Sequence, residues 1–96
     1  MVRADLPKGL QAAQVVHATG ESLEERHPEG TYAVVLTARD ELALTLLAER
    51  LEAAQVPLVR IHEPDAPYNG ALMALGLRPA RKEVLRRHLS TLPLLK

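Results

Sequence analysis

Residues 31–63 read TYAVVLTARDELALTLLAERLEAAQVPLVRIHE, and three segments of different periodicity follow one another in it. Residues 31–37 are β-branched and largely apolar, which predicts a strand covered on both faces, at the centre of a sheet. Asp40 is suited to cap a helix, and Leu44, Leu47, Leu51 and Ala54 then recur at helical spacing, so a helix is expected over about 41–54. Gln55-Val56-Pro57 ends it, and LVRIHE (58–63) returns to a strand. Strand, helix and strand in that order predict a parallel pair joined by a right-handed crossover, and with it an α/β fold.

The flanks extend the same alternation. MVRADL suggests a first strand over about 1–5, and Pro7 suits the start of a helix. From Lys8 to about His27 the spacing is helical, with Ala12, Val15, Val16, Thr19 and Leu23 on one side and Leu10, Ala13, Gln14, His17 and Glu21 on another. Gly20-Glu21-Ser22 is a candidate break, with Ser22 and Glu25 spaced as a capping box. His27-Pro28-Glu29-Gly30 is a turn signal. Beyond residue 63, PDAPYNG (64–70) reads as a loop and ALMALGL (71–77) as a fourth strand. Pro79 opens a helix of roughly 79–89, and Pro93 stops its continuation before an extended tail. The order β-α-β-α-β-β-α predicts a single three-layer α/β sandwich, a four-stranded mixed sheet with helices on both faces. At 96 residues the chain, 1–96, is one domain.

Composition narrows the functional classes. Phe and Trp are absent and Tyr32 and Tyr68 are the sole aromatics, which argues against binding bases by aromatic stacking. No apolar run approaches the ~20 residues of a membrane span, and no basic-then-apolar leader opens the chain, so a cytoplasmic protein is expected. The absence of cysteine removes thiolate chemistry. Net charge is zero but uneven: residues 78–96 hold Arg78, Arg81, Lys82, Arg86, Arg87 and Lys96 against Glu83 alone, and the rest of the chain is acidic. Arg86, Arg87 and His88 complement the negative end of a helix dipole, whereas Arg78, Arg81 and Lys82 come too early for that, and Arg81 and Lys82 are candidates for phosphate contacts.

In sheets of this kind ligands gather beyond the carboxyl ends of the strands, here residues 5–9 and 62–68. Lys8 and Gly9 stand at a strand-to-helix junction where an anion can bind, or where a lysine is simply solvated. Gly9 also permits close backbone approach. Gln14 lies one turn before His17, so the pair is either a packed polar face or a base with an amide that orients it. Glu63 and Asp65 are able to fix a histidine tautomer or activate water, and equally to be solvated loop acids. His17, His62, Glu63 and Asp65 have ligand chemistry without ligand spacing, so no metal is expected. Neither Ser22 nor Ser90 lies in a nucleophile elbow.

The run VRADLPKGLQAAQVVHA, the unit ending VPLVRIHE, ALMALGL and the closing LPLL together resemble the type 2 peptidyl-tRNA hydrolases over nearly the whole chain. The specific part is D-L-x-x-G-x-x-A-A-Q-x-x-H-A, matched at Asp5, Leu6, Gly9, Ala12, Ala13, Gln14, His17 and Ala18. The resemblance implies an enzyme, often a homodimer, that cleaves the ester between a peptide and the terminal ribose of tRNA without metal or cofactor. It implies His17 as base or water-positioner, Glu63 or Asp65 as its carboxylate partner and Lys8 as electrostatic stabiliser; beside it, Lys8, Gln14, Arg81 and Lys82 are the candidate substrate-binding residues. The chain departs from the family pattern at three places. Leu10 stands where a lysine is usual, Glu63-Pro64-Asp65-Ala66-Pro67 replaces D-A-G-R-T, and only Met1 and Val2 precede the V-R's arginine, which predicts a weak first strand. Those departures motivate the alternative of an inactive relative that binds tRNA or regulates, and a third of a hydrolase for another small ester or amide.

Overall fold

The structure is a computed structural model, and it describes residues 1–22, 29 and 33–96. Its elements are β1 (Val2–Arg3), α1 (Lys8–Ser22), β2 (Thr37–Ala38), α2 (Glu41–Ala53), β3 (Leu58–Glu63), β4 (Ala71–Leu77) and α3 (Lys82–Leu89). The expected order of elements, the α/β class and the mixed four-stranded sheet are all present. The continuation of the first helix to His27, a capping box ending at Glu25, residues 27, 28 and 30 of the expected turn and residues 31–32 of the second strand lie outside the described residues. Gly20 and Glu21 continue α1, which is described as far as Ser22, and Ser22 donates its hydroxyl back to the Thr19 carbonyl (3.2 Å).

The sheet order is β2-β1-β4-β3, with β1 parallel to β2 and β4 antiparallel to both β1 and β3. Two expectations are thereby corrected. The second strand is a two-residue edge strand, not a central one, and Val34 before it is 63% exposed. Its partners explain its length: β1 offers a ladder of only two residues, and the outer side is taken by the C-terminal tail through Thr37 N–H to the Pro93 carbonyl (2.8 Å) and Leu95 N–H to the Val35 carbonyl (3.0 Å). Second, the hydrogen-bonded parallel pair is β1 and β2, while β2 and β3 occupy opposite edges. The strand buried on both faces is β4, where residues 72–76 are all buried.

Two apolar clusters sit on the two faces. Leu44, Leu47, Ala48 and Leu51 of α2 pack with Leu72, Leu75 and Leu89 on one, and Leu6, Ala18, Ile61 and Met73 pack on the other. Strand β4 serves both, and a bulge interrupts its alternation: Ile61 pairs with Ala74 and His62 with Leu72, so Met73 is the extra residue on β4 and joins Ala74 in the second cluster. Asp40 caps α2 as expected, its side chain accepting from Ala43 N–H (2.9 Å). Helix α3 starts at Lys82 and not at Pro79, because the chain stays extended through Arg81 (φ −68°, ψ 144°).

The buried face of α1 is not an apolar stripe. It consists of Gln11, Gln14, Ala18 and Ser22, while Val16 is 70% exposed. The cause is how closely α1 lies on β4: a Cβ at Gly76 would stand 2.3 Å from the Ala18 carbonyl oxygen and 2.9 Å from the Ser22 Cβ. Gly76→Ala is therefore expected to destabilise the fold by about 1–3 kcal/mol, the usual cost of overpacking. Denaturant unfolding measures it, and a change below about 0.5 kcal/mol contradicts the close approach.

Candidate functional site

Strand β1 ends early, and side chains complete its bonding. Leu72 of β4 lies past the end of the β1 ladder, so its N–H donates to Glu41 Oε2 (2.7 Å) and its carbonyl accepts from Arg3 Nη1 (3.2 Å). Arg3 also forms a two-point fork on Asp5, Nε to Oδ1 at 2.9 Å and Nη2 to Oδ2 at 2.8 Å. Gln11 of α1 donates its amide to the carbonyls of Arg3 (3.1 Å) and Ala4 (3.3 Å). The chain leaving β1 is thus fixed at the sheet end where β3 also terminates.

At that end Glu63, half-buried, closes β3. Regular alternation along β3 turns Arg60 toward α2, where it pairs with Glu52, and Glu63 toward α1. Gln14, buried to 2% exposure, donates its Nε2 to Glu63 Oε2 at 3.2 Å. The other carboxylate oxygen accepts from Asp65 N–H at 3.2 Å. Residues 64–70 fold back on themselves: Tyr68 and Asn69 N–H donate to the Asp65 carbonyl, Gly70 N–H donates to the Glu63 carbonyl (2.6 Å), and His62 Nδ1 donates to the Gly70 carbonyl (3.0 Å). Asn69 (φ 48°) and Gly70 (φ 91°) take the left-handed conformations that the return to β4 requires, and both are residue types that tolerate them.

The sequence-predicted residues are partly assembled. Gln14 and Glu63 meet, and Asp65 joins them through its backbone N–H. His17 lies one helical turn beyond Gln14 with its side chain exposed, and the Gln14 amide is spent on Glu63 instead of orienting the imidazole. Lys8 is not part of the group. Nine residues at about 100° each put it on the opposite side of α1 from His17, and its ammonium donates to the Lys96 carbonyl. Leu10, in contrast, shares the stripe of Gln14 and His17 and packs on the apolar cluster with Ile61 and Met73. Nothing in the described protein comes within 4 Å of a Cβ built on Gly9, so no neighbour uses its small size.

Arg81 and Lys82 lie elsewhere. They line a cleft of about 1060 Å³ between the last turns of α1, the end of β4 and the start of α3, along with Ala18, Leu77 and Leu85. None of Lys8, Gln14, His17, Glu63 or Asp65 lines it. Among the described residues no three acidic or histidine side chains gather as a metal set, and no helix is long and apolar enough to cross a membrane.

Residues 1–95 match the family Peptidyl-tRNA hydrolase PTH2. The chain belongs to the PTH2 family. A peptidyl-tRNA hydrolase of Methanopyrus kandleri is 34% identical over 110 aligned positions, which take in 100% of this chain and 95% of the relative. A peptidyl-tRNA hydrolase-like function goes with that membership, and the reading as an inactive binding relative is not favoured.

Placed on the fold, the family motif divides its labour. Asp5 locks Arg3, Leu6 is core, Ala18 faces Gly76, and Gln14 reaches the carboxylate. Sequence reasoning missed Gln11 and the Arg3–Asp5 fork. The spacing of Gln11 and Gln14, three apart on one helix, was the available signal.

The hydrogen bond from Arg3 holds the Asp5 carboxyl below its usual range. A carboxyl depressed in the folded state stabilises the fold above its unfolded value of about 3.9, and that contribution is lost as the pH falls through the lower folded value. The stability gap between the parent protein and Asp5→Asn is thus expected to be constant near neutrality and to narrow below about pH 4. Urea unfolding across pH reads it, and a gap that widens on acidification contradicts the assignment.

Proposed function

We propose that the protein hydrolyses the ester joining a peptide to the terminal ribose of tRNA, at the face of α1 that carries Gln14 and His17. The observation that carries this reading is the Glu63 carboxylate held against α1 one turn from His17. His17 takes a proton from a water as the water attacks the ester carbonyl. The tetrahedral intermediate then collapses with release of the ribose hydroxyl, which recovers the proton, and of the peptide as its acid. Glu63, with Asp65 beside it, supports the cationic imidazole formed in between. Metal and cofactor have no part in this scheme.

Lys8, Arg81 and Lys82 are assigned to phosphate contacts. Lys8 stands at the N-terminal end of α1, where the dipole also favours an anion. Oxyanion stabilisation by lysine from the α1 stripe is what this chain lacks at Leu10. A homodimer and a cytoplasmic role in translation belong to the same reading. Exposed Leu42 and Leu46, one turn apart on α2, supply apolar surface for a second copy.

Incubation with N-blocked aminoacyl-tRNA tests the reaction. His17→Ala is expected to lower kcat/KM by about 100-fold or more, in line with the loss of a general base, and unchanged turnover sinks the assignment. Leu10→Lys is expected to raise kcat by roughly tenfold, since a cation on that stripe faces the developing oxyanion. Arg81→Ala with Lys82→Ala is expected to weaken tRNA binding and to reduce the salt dependence by about one phosphate contact each. Sedimentation equilibrium reads the dimer directly.

A further inference from the structure

Two glutamines of α1 are buried, and their amides do different work. Gln11 donates to two backbone carbonyls and so completes the bonding of the chain after β1. Gln14 donates to a side-chain carboxylate, which nothing in the backbone requires. An ionised carboxylate only accepts, so the amide is turned with Nε2 toward Glu63. Its Oε1 is then left buried with no hydrogen-bond partner among the described residues, as is the Oε1 of Gln11, so it is the carboxylate partner that sets Gln14 apart. A buried unmatched oxygen is a cost to folding, and an apolar side chain of similar length would fill the position without it.

We propose that Gln14 is a positioning residue for the Glu63 carboxylate. Its amide holds one carboxylate oxygen while the Asp65 N–H holds the other, so that the group is pinned from the helix side and from the loop side at once. The proposal rests on the hydrolase reading for its consequence in catalysis. Gln14 touches no reacting atom in this arrangement and acts through Glu63.

Gln14→Met tests it, because the apolar replacement removes both the donor and the unmatched oxygen. In hydrolysis of N-blocked aminoacyl-tRNA, kcat is expected to fall about 10- to 100-fold through carboxylate misplacement, with KM within about twofold of the parent. The thermal midpoint is expected to be unchanged or higher, where a structural role predicts a lower one. A kcat within about twofold of the parent overturns the proposal, as does an activity loss that merely tracks loss of folded protein. A second measurement does not depend on turnover. In the isotopically labelled full chain, the Gln14 side-chain amide resonance is expected to move on Glu63→Ala while that of Gln11 stays in place. A Gln14 resonance unmoved by Glu63→Ala overturns the proposal even in an active protein. A moved resonance in a parent protein that turns over no ester supports the Gln14–Glu63 clamp and refutes the hydrolase reading.

Discussion

The contact between the Ala18 carbonyl and the backbone of Gly76 sets the register of α1 on the sheet. With no side chain between them, helix and strand lie closer than apolar packing normally allows, and small residues at 18 and 22 follow from that. Counting one turn back from Ala18 brings Gln14 over the end of β3, where Glu63 waits. A larger residue at 76 would lift α1 at Ala18 and Ser22 and disturb the seating that carries Gln14. The site therefore depends on a glycine at the far end of the same face.

A second constraint is the shortness of β1. Two residues of ladder leave the backbone of Leu72, Arg3 and Ala4 with polar groups that no strand satisfies, and buried backbone groups do not remain unpaired without cost. Glu41, Arg3 and Gln11 take the place of the missing strand. Because those side chains come from β1, α1 and α2, all three elements are tied at the sheet end that carries Glu63. The bulge at Met73 puts two consecutive residues of β4, Met73 and Ala74, into the cluster beneath α1.

The sequence was most readable where local pattern and tertiary role agree. Helix α2 with its Asp40 cap, β3, the loop 64–70 and β4 appear where periodicity and turn chemistry place them. It misled where partners distant in the chain decide. The apolar run before Thr37 looks central, but its neighbours are a two-residue strand and a tail from residues 93–95, neither visible in the run itself. At the site, the motif located Gln14 and His17, and the chain order located Glu63. Lys8 is near them in sequence, but helix geometry puts it on the opposite side of α1 from His17. The pairing of Gln14 with Glu63 in place of His17 follows from the close seating of α1 on β4, which no spacing rule reports.

Strand β3 has one further property. It is the outer strand of the sheet, so one row of its backbone N–H and C=O groups faces away from β4. Such a row invites pairing with a strand of another molecule, and long flat apolar edges are where aggregation begins. This edge carries Arg60, His62 and Glu63 from its third residue on, and it faces the bulge that bends its partner β4. A second chain approaching it would have to desolvate those charges and match a twisted register. The charged and polar side chains of β3 thus disfavour edge pairing, and replacing them with apolar ones would make the edge adhesive.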